Sequence, residues 1–221
     1  MEAYEITSYE QVRPNLRIRL MDMRSNSQVL QNAIYRPVEC GLALVAYMKL
    51  PESIAEGGIA NVPRNMAMLD EVGESQIMED AINGSVNAGS VKLCNIQELI
   101  FGTDAENYLE SGNNAEGSIF VLATEDGVLG ASALFYPGIQ ERISEAVGGD
   151  YFVLPSSIHE VLIVPGEGTM TPNEMAQMVK SINETQVIPK DRLCNRVMRY
   201  SADSHELSVA ADPDRRREME R

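Results

Sequence analysis

The sequence contains no tryptophan, and aromatic residues make up only 5% of its 221 residues. So few aromatic side chains disfavour a surface that stacks nucleobases. Cysteine is also scarce: Cys40, Cys94 and Cys194 are odd in number, far apart and without a CxxC pair. We interpret them as reduced, small buried side chains of a protein in a reducing compartment.

Long apolar runs are missing as well. No segment approaches the roughly 18 consecutive apolar residues of a membrane helix, and the first residues lack the basic head and apolar block of a secretory signal. Hydrophobic residues nevertheless make up 44% of the chain and charged residues 23%, which is typical of a folded globular protein. We therefore expect a cytoplasmic protein that does not bind membranes.

Positive charge is scarce in the middle of the chain. Residues 51–150 contain 17 acidic and 3 basic residues, so this segment carries −14 of the total net charge of −15. A negative field repels phosphate backbones and anionic lipids and attracts basic protein surfaces. Direct nucleic-acid binding is therefore disfavoured. Two interpretations of the charge remain: a surface that keeps the protein dissolved, or a docking surface for a basic partner.

Familiar ligand-binding motifs do not occur in the sequence. The two histidines and three scattered cysteines lack the spacing of a zinc site, and the acidic loops lack the alternating carboxylates and central glycine of a calcium loop. None of the glycine pairs forms a dinucleotide-binding or phosphate-binding loop. We predict no cofactor and no metal site.

The first half of the chain predicts short helices and a hairpin. A helix capped by Ser8 would carry Val12, Leu16, Leu20 and Met23 on one face, with Pro14 either limiting its start or kinking it. Further elements are predicted in this order: a helix at 27–34, a strand at 42–48, its hairpin arm at 59–62, helices at 65–69 and 75–82, and a loop at 83–90.

The second half gives clearer signals. Asp126-Gly127 between the apolar runs 119–124 and 128–134 predicts a β-hairpin. Tyr136-Pro137-Gly138 predicts the start of a helix, which Gly148-Gly149 would end.

One strand is then predicted over residues 151–164. A capping box formed by Thr171 and Glu174 opens an amphipathic helix. Its core face is predicted to consist of Met175, Met178, Val179 and Ile182. An edge strand is then predicted at 196–201.

These elements predict an α+β fold, with mixed, largely antiparallel sheets packed against amphipathic helices. The polar, turn-rich segment 111–117 is the predicted linker between an N-terminal α/β half, residues 1–110, and a C-terminal β-β-α-β-α half, residues 118–201. Residues 202–221 are predicted to be a flexible, charged tail.

One cluster contains the residue types of a hydrolytic triad: Ser156, Ser157, His159 and Glu160. On a continuous strand Ser157 and His159 would face one side and Glu160 the other. Neighbours on one strand do not normally form a nucleophile–base pair at about 2.6–3.2 Å, and no GxSxG elbow is present. We therefore predict no catalytic residue. Ser157, His159 and Glu160 are kept as candidates, against a structural role for His159.

Four strings follow one another in the second half: IFVLATEDGVLGASALFYPG, YFVLPSSIHEVLIVP, TPNEMAQMVKSINETQVIP and NRVMRY. Together with SYEQV, ALVAYM and NVPRNMAML in the first half, they resemble a bacterial family known as a domain of unknown function. Its members share the tyrosine-proline-glycine helix start and the PSSIHEV signature, and they often lie near mobile genetic elements. The resemblance implies a common fold and no particular activity. Where relatives carry a serine-aspartate-histidine run, this chain has Leu-Cys-Asn-Arg at 193–196, so any chemistry of that run would be lost here.

Four hypotheses on function follow. The leading one is a non-enzymatic, acidic protein-interaction module that binds a basic surface of a protein partner. The others are an inhibitor that mimics nucleic-acid charge in a basic cleft of a defence or DNA-handling protein, a small hydrolase centred on His159, and a structural or regulatory subunit of a homo-oligomer.

Overall fold

A computed structural model describes residues 8–102, 104–115 and 117–215, without the side chains of residues 67–70. The chain divides into two compact units, Met1–Gly89 and Ser90–Arg221. Each unit combines an antiparallel sheet with helices, which confirms the predicted α+β class. Segment 111–117, the predicted linker, lies inside the second unit.

The first unit is built around the central strand β3. Strand β1 pairs with one edge of β3, and β2 and β4 pair with successive halves of its other edge, all antiparallel. The predicted strand at 42–48 and its hairpin arm are therefore confirmed. The elements in chain order are α1 (Tyr9–Val12), β1 (Leu16–Asp22), α2 (Ser27–Leu30), β2 (Tyr35–Val38), β3 (Leu42–Lys49), β4 (Ile59–Asn61) and α3 (Glu74–Val86), with 3₁₀ helices at Arg13–Asn15, Glu39–Gly41 and Arg64–Glu71.

The predicted first helix is wrong beyond Val12, because the chain continues as strand β1. Leu16 and Leu20 are four residues apart, and that spacing satisfies both a helical repeat of 3.6 residues and a strand repeat of 2. The intervening residues distinguish the two: Ile18 is buried with the leucines, while Arg17 and Arg19 face the other way and are partly exposed. Alternation at every second residue is the signature of a strand with one fully buried face.

Two other boundaries differ in the first unit. Helix α2 ends at Leu30 rather than at residue 34, and the chain then forms β2 with Pro37 inside it. Proline is tolerated there because β2 pairs only with β3 and lies at an edge. Helix α3 begins after Gly73, not at Ser75, and runs through the first half of the predicted loop to Val86.

Helix α3 docks closely on the outer edge of β1. The backbone N–H of Ile18 points away from β3 and donates to Ser85 Oγ at 2.8 Å, which satisfies a buried donor on an otherwise open strand. At Gly84 the helix backbone approaches so closely that a Cβ atom would lie 2.3 Å from the carbonyl oxygen of Leu16. Glycine at this position therefore permits the contact between helix and strand.

The second unit contains a six-stranded antiparallel sheet in the order β10-β9-β7-β8-β6-β5. The predicted capping box of α7 and the glycine end of α6 are confirmed. The elements are β5 (Val91–Asn95), α4 (Ile96–Phe101), α5 (Tyr108–Ser111), β6 (Phe120–Thr124), α6 (Ile139–Val147), β7 (Tyr151–Leu154), β8 (Glu160–Pro165), α7 (Pro172–Thr185), β9 (Val197–Ser201) and β10 (Glu206–Ala211), with 3₁₀ helices at Gly130–Phe135 and Pro189–Asp191.

The predicted Asp-Gly hairpin is wrong. Asp126 and Gly127 do form a turn, in which Thr124 Oγ1 and the Val128 N–H both donate to Asp126 Oδ1. The chain after it becomes the 3₁₀ helix Gly130–Phe135, and β6 pairs with β5 and β8 instead. The local turn signal was correct, but it does not determine what the chain does after the turn.

The predicted strand over 151–164 is two strands. β7 and β8 form an antiparallel hairpin, and residues 155–159 connect them. The predicted edge strand at 196–201 exists as β9, but it lies between β7 and β10. Residues 202–221, predicted as a flexible tail, include β10, which is the true edge; residues 216–221 lie outside the described residues.

Helices cover both faces of this sheet. On one face Met175 and Val179 of α7 pack with Leu154 and Val197 in a buried apolar cluster. On the opposite face the ring of Tyr151 stacks on Tyr200, with ring centroids 4.9 Å apart, and its hydroxyl donates to a backbone carbonyl of α6. Alternation along β7 sends Tyr151 and Leu154 to opposite faces, so α6 and α7 lie on opposite sides.

The substitution Gly84→Ala tests the docking of α3. Helix propensity alone would stabilise the protein by about 1 kcal/mol, but the new Cβ has no space against Leu16. We expect the free energy of unfolding to fall by about 1–3 kcal/mol, measured by urea denaturation. Gly89→Ala is the control, since nothing lies within 4 Å of the added atom. A stabilised Gly84→Ala variant would contradict the close approach.

Asp150 provides a pH test of the second unit. The N–H of Ala202 and the guanidinium of Arg199 donate to this carboxylate and hold its pKa below the usual range for aspartate. A lowered folded-state pKa stabilises above the unfolded-state value, and that contribution is lost as pH falls through the folded-state value. We expect Asp150→Asn to cost up to about 1 kcal/mol near neutral pH.

The difference between wild type and Asp150→Asn should begin to shrink as pH falls below about 4 and should be lost once pH has fallen through the lower folded-state pKa of Asp150. Denaturation curves at several pH values measure it, with Glu167→Gln at an exposed turn as the control. A difference that persists unchanged in acid would show that the lost charge is not the cause.

Candidate functional site

The candidate cluster lies in the connection between β7 and β8, which runs between two other segments of the second unit. The N–H of Ala131, in the 3₁₀ helix Gly130–Phe135, donates to the carbonyl of Ile158 at 3.2 Å. On the other side the N–H of Ile158 donates to the carbonyl of Asp191 at 2.9 Å. Residues 155–159 are thus fixed by backbone hydrogen bonds to both neighbours.

The imidazole of His159 connects the same two neighbours through its side chain. The backbone N–H of Leu129 donates to Nδ1 at 3.2 Å, and Nε2 lies 3.6 Å from Asp191 Oδ2. The His159 side chain is 32% exposed and that of Asp191 21%. Because Nδ1 accepts a hydrogen bond from an amide, the neutral ring carries its own proton on Nε2, on the side of the Asp191 carboxylate. This is a ring oriented by two fixed groups.

Ser157 is buried and does not act on the ring. Its hydroxyl oxygen accepts a hydrogen bond from the backbone N–H of His159 at 3.0 Å, and its backbone forms an isolated bridge with Arg192. Glu160 begins β8, where it is paired with Ala123 of β6. In a serine hydrolase one ring nitrogen of the histidine faces the nucleophile. Here both ring nitrogens face other groups, so the three candidates are close in sequence but do not form a nucleophile–base arrangement.

The segment that His159 holds has a costly backbone conformation. Leu129 has φ 56°, in the left-handed region that non-glycine residues rarely adopt, at a cost of about 1–3 kcal/mol. Beside it a Cβ on Gly130 would lie 2.6 Å from both the His159 carbonyl oxygen and the Thr124 nitrogen. The sharp turn into the 3₁₀ helix therefore depends on the glycine for space and on the His159 ring for a partner to the Leu129 N–H.

Sequence reasoning missed Leu129 and Asp191, which are the two partners of the ring. Leu129 contributes a backbone amide 30 positions away, and a backbone group leaves no side-chain signal. Asp191 is 32 positions further along and follows a proline and a lysine in a short 3₁₀ helix. Nothing in its local sequence distinguishes it from a surface aspartate.

Among the described residues, the cysteines and the other side chains that could bind a metal do not point to a second site. None of Cys40, Cys94 and Cys194 forms a disulfide, and burial raises the pKa of the Cys94 thiol, which disfavours the reactive thiolate. Within residues 8–102, 104–115 and 117–215, no group of three or more His, Cys, Asp or Glu side chains is placed to hold a metal ion. Among the helices of those residues, none has the length and apolarity needed to cross a membrane.

The acidic residues of segment 51–150 are divided between the two units. Residues 51–89 contain 7 acidic and 1 basic residue, and residues 90–150 contain 10 acidic and 2 basic residues. In the second unit no lysine or arginine occurs from residue 93 to residue 141, while eight acidic residues do. The neighbouring cations have partners of their own: Lys92 lies 3.2 Å from Glu125, and Arg142 donates to the carbonyl of Leu109. This stretch contributes helices α4 and α5 and the turn after β6.

Comparison with known proteins places the chain in a family without assigning an activity. Residues 1–202 match the model of DUF5688, a family of unknown function, and the chain belongs to this family. No curated protein and no solved structure matches the sequence. The predicted membership of a family of unknown function is thus confirmed, while the PSSIHEV signature and the mobile-element setting stay predictions.

Substitutions at His159 test its role in the turn. His159→Ala removes the acceptor for the buried Leu129 N–H, and an unpaired buried donor costs about 1–3 kcal/mol of unfolding free energy. His159→Asn keeps an oxygen near the position of Nδ1, so we expect it to recover part of that loss. Chemical denaturation of the three proteins measures both effects. If His159→Ala and His159→Asn are both as stable as wild type, the structural role of His159 is contradicted.

Proposed function

We propose that this member of the DUF5688 family is a non-enzymatic protein-interaction module whose acidic surface binds a basic surface of another protein. The observation that carries the proposal is the stretch from residue 93 to residue 141, which has eight acidic residues and no lysine or arginine. Side-chain pairing inside the protein cannot remove a net charge, so this part of the second unit presents a negative field to its surroundings.

Three features of the site support a binding role over the hydrolase hypothesis. Both ring nitrogens of His159 face groups other than Ser157, and the Ser157 hydroxyl accepts a backbone N–H. The connection that holds these residues is fixed by backbone hydrogen bonds on both sides. The His159 ring is poorly suited to proton transfer, because protonation of Nδ1 would break the hydrogen bond from the Leu129 N–H that holds the strained turn.

The charge acts mainly on encounter and partner choice. Complementary potentials raise association rates and disfavour wrong partners, and salt weakens both effects. The binding surface should therefore select proteins with a cluster of lysines and arginines. It should reject DNA, RNA and anionic membranes, which carry the same sign of charge as the module.

Neutralisation of exposed acids tests the proposal. The triple variant Asp104→Asn, Glu110→Gln, Glu141→Gln removes three exposed carboxylates of this stretch, near α5 and α6. The control Glu167→Gln, Asp203→Asn, Glu206→Gln changes the net charge by the same amount at exposed positions further along the chain. Immobilised protein is incubated with extract of the producing cells at roughly 50 mM salt and eluted at roughly 500 mM, where the Debye length is several-fold shorter.

We expect wild type and the control to retain a basic protein that elutes with salt, and the α5–α6 triple variant to lose most of it. The retained protein is then identified and purified for titration. The proposal fails if wild type retains no salt-sensitive basic protein, or if the two triple variants weaken its retention equally.

A further inference from the structure

The C-terminal end of α4 carries the two most exposed large apolar side chains of the described residues, Ile100 at 72% and Phe101 at 79%. Leu99, which precedes them, is 47% exposed. Consecutive residues on an α-helix point about 100° apart, so these side chains surround the helix end and cannot fold together onto one surface of their own unit. We call these three side chains the 99–101 knob.

The knob is held in place by the fold. Asn95 Oδ1 accepts the Gln97 N–H at 2.9 Å and caps the start of α4. Gly102, with φ 66°, ends the helix and donates its N–H to the carbonyl of Glu98. The Glu98 carboxylate also accepts the Glu106 N–H at 3.1 Å, which ties the helix to the loop that follows. A six-residue helix would fray alone, but caps at both ends and this cross-link fix its exposed end.

The surroundings of the knob are acidic. Glu98 precedes it on the same helix, Asp104 and Glu106 follow it, and Glu110 lies on α5. The nearest cation before it in sequence, Lys92, is paired with Glu125, and the next one is Arg142. An exposed apolar group with acidic neighbours is complemented best by an apolar surface that basic side chains surround.

We propose that the 99–101 knob is the anchor of the acidic surface: Ile100 and Phe101 insert into an apolar pocket that lysines and arginines surround on a protein partner. This inference rests on the proposed function and names the part of the surface that supplies its affinity. Charge pairs at a rim contribute little affinity, whereas central apolar anchors that leave water contribute most of it. The acids would then guide the encounter, and the knob would hold the complex.

Two other occupants fit the charge less well. In a symmetric dimer each knob would meet the same surface of a second copy, and the acidic rims would face each other and repel. An anionic membrane would likewise repel the carboxylates on both sides of the knob. A basic protein surface is the occupant that satisfies both the apolar and the charged parts.

The double variant Ile100→Ser, Phe101→Ser tests the anchor. Both side chains are exposed, so we expect thermal stability to change little. Affinity for the purified basic partner should fall about 30-fold or more, as for a central anchor. Val128→Ser is the matched control, since Val128 is 55% exposed in the same unit but lies outside the knob; we expect it to bind like wild type. Isothermal titration at constant salt measures all three.

The outcomes separate this inference from the proposed function. If wild type retains no basic partner, both fail. If the acid-neutralised variant loses the partner but the double serine variant binds it as wild type does, the knob is not the anchor and only this inference is overturned.

Two further results would also overturn it. One is a wild-type dimer in light scattering that the double serine variant loses, which would assign the knob to a second copy. The other is flotation of wild type with phosphatidylcholine vesicles that the variant loses, which would assign it to a lipid surface.

Discussion

The hydrogen bond from the Leu129 N–H to His159 Nδ1 is the constraint on which the arrangement of the second unit depends. It joins the turn after β6 to the connection between β7 and β8, beside the backbone hydrogen bond from the Ala131 N–H to the Ile158 carbonyl. Leu129 is buried and in the left-handed region, so its N–H needs a partner within the protein. Because the two ring nitrogens face the Leu129 N–H and the Asp191 carboxylate, the His159 ring is not placed to act as a base toward Ser157.

With no catalytic arrangement around His159, the surface becomes the more informative part of the molecule. The second unit covers both faces of its sheet with helices, and it also covers part of one edge. Asn107 accepts from the Leu93 N–H and donates to the Val91 carbonyl, so a side chain takes the place of a neighbouring strand along β5. An edge protected in this way avoids uncontrolled strand pairing. In a unit whose sheet is covered in this way, the exposed apolar end of α4 lies within an acidic segment and contributes no buried packing of its own.

Much of the fold could be predicted from the sequence where local chemistry decides the structure. Thr171 and Glu174 form the expected capping box, Gly148 ends α6 in the left-handed conformation, and the apolar run 42–48 is a central strand. The errors occur where local patterns fit two structures. Leu16 and Leu20 suit a helix as well as a strand. Segment 151–164, predicted as one strand, is a hairpin whose turn includes the buried residues Ser156 and Ser157.

The candidate site shows the same limit. Ser157, His159 and Glu160 were identified as candidates from the sequence, with an argument against a nucleophile–base pair that assumed one continuous strand. Residues 155–159 connect two strands, so that argument does not apply to them. The partners that define the role of His159 are a backbone amide and a distant carboxylate. Both are brought to the ring by tertiary structure. Tertiary structure also determines the exposure of Phe101.

The most direct test of the central claim, that His159 is a structural group, is the tautomer of its ring by nitrogen-15 NMR at neutral pH. The chain has only two histidines, so the assignment needs a single variant. The account predicts that the neutral form of the ring carries its proton on Nε2 and uses Nδ1 as a hydrogen-bond acceptor. A ring protonated on Nδ1, with Nε2 open to take a proton from a nucleophile as in a hydrolytic triad, would contradict it.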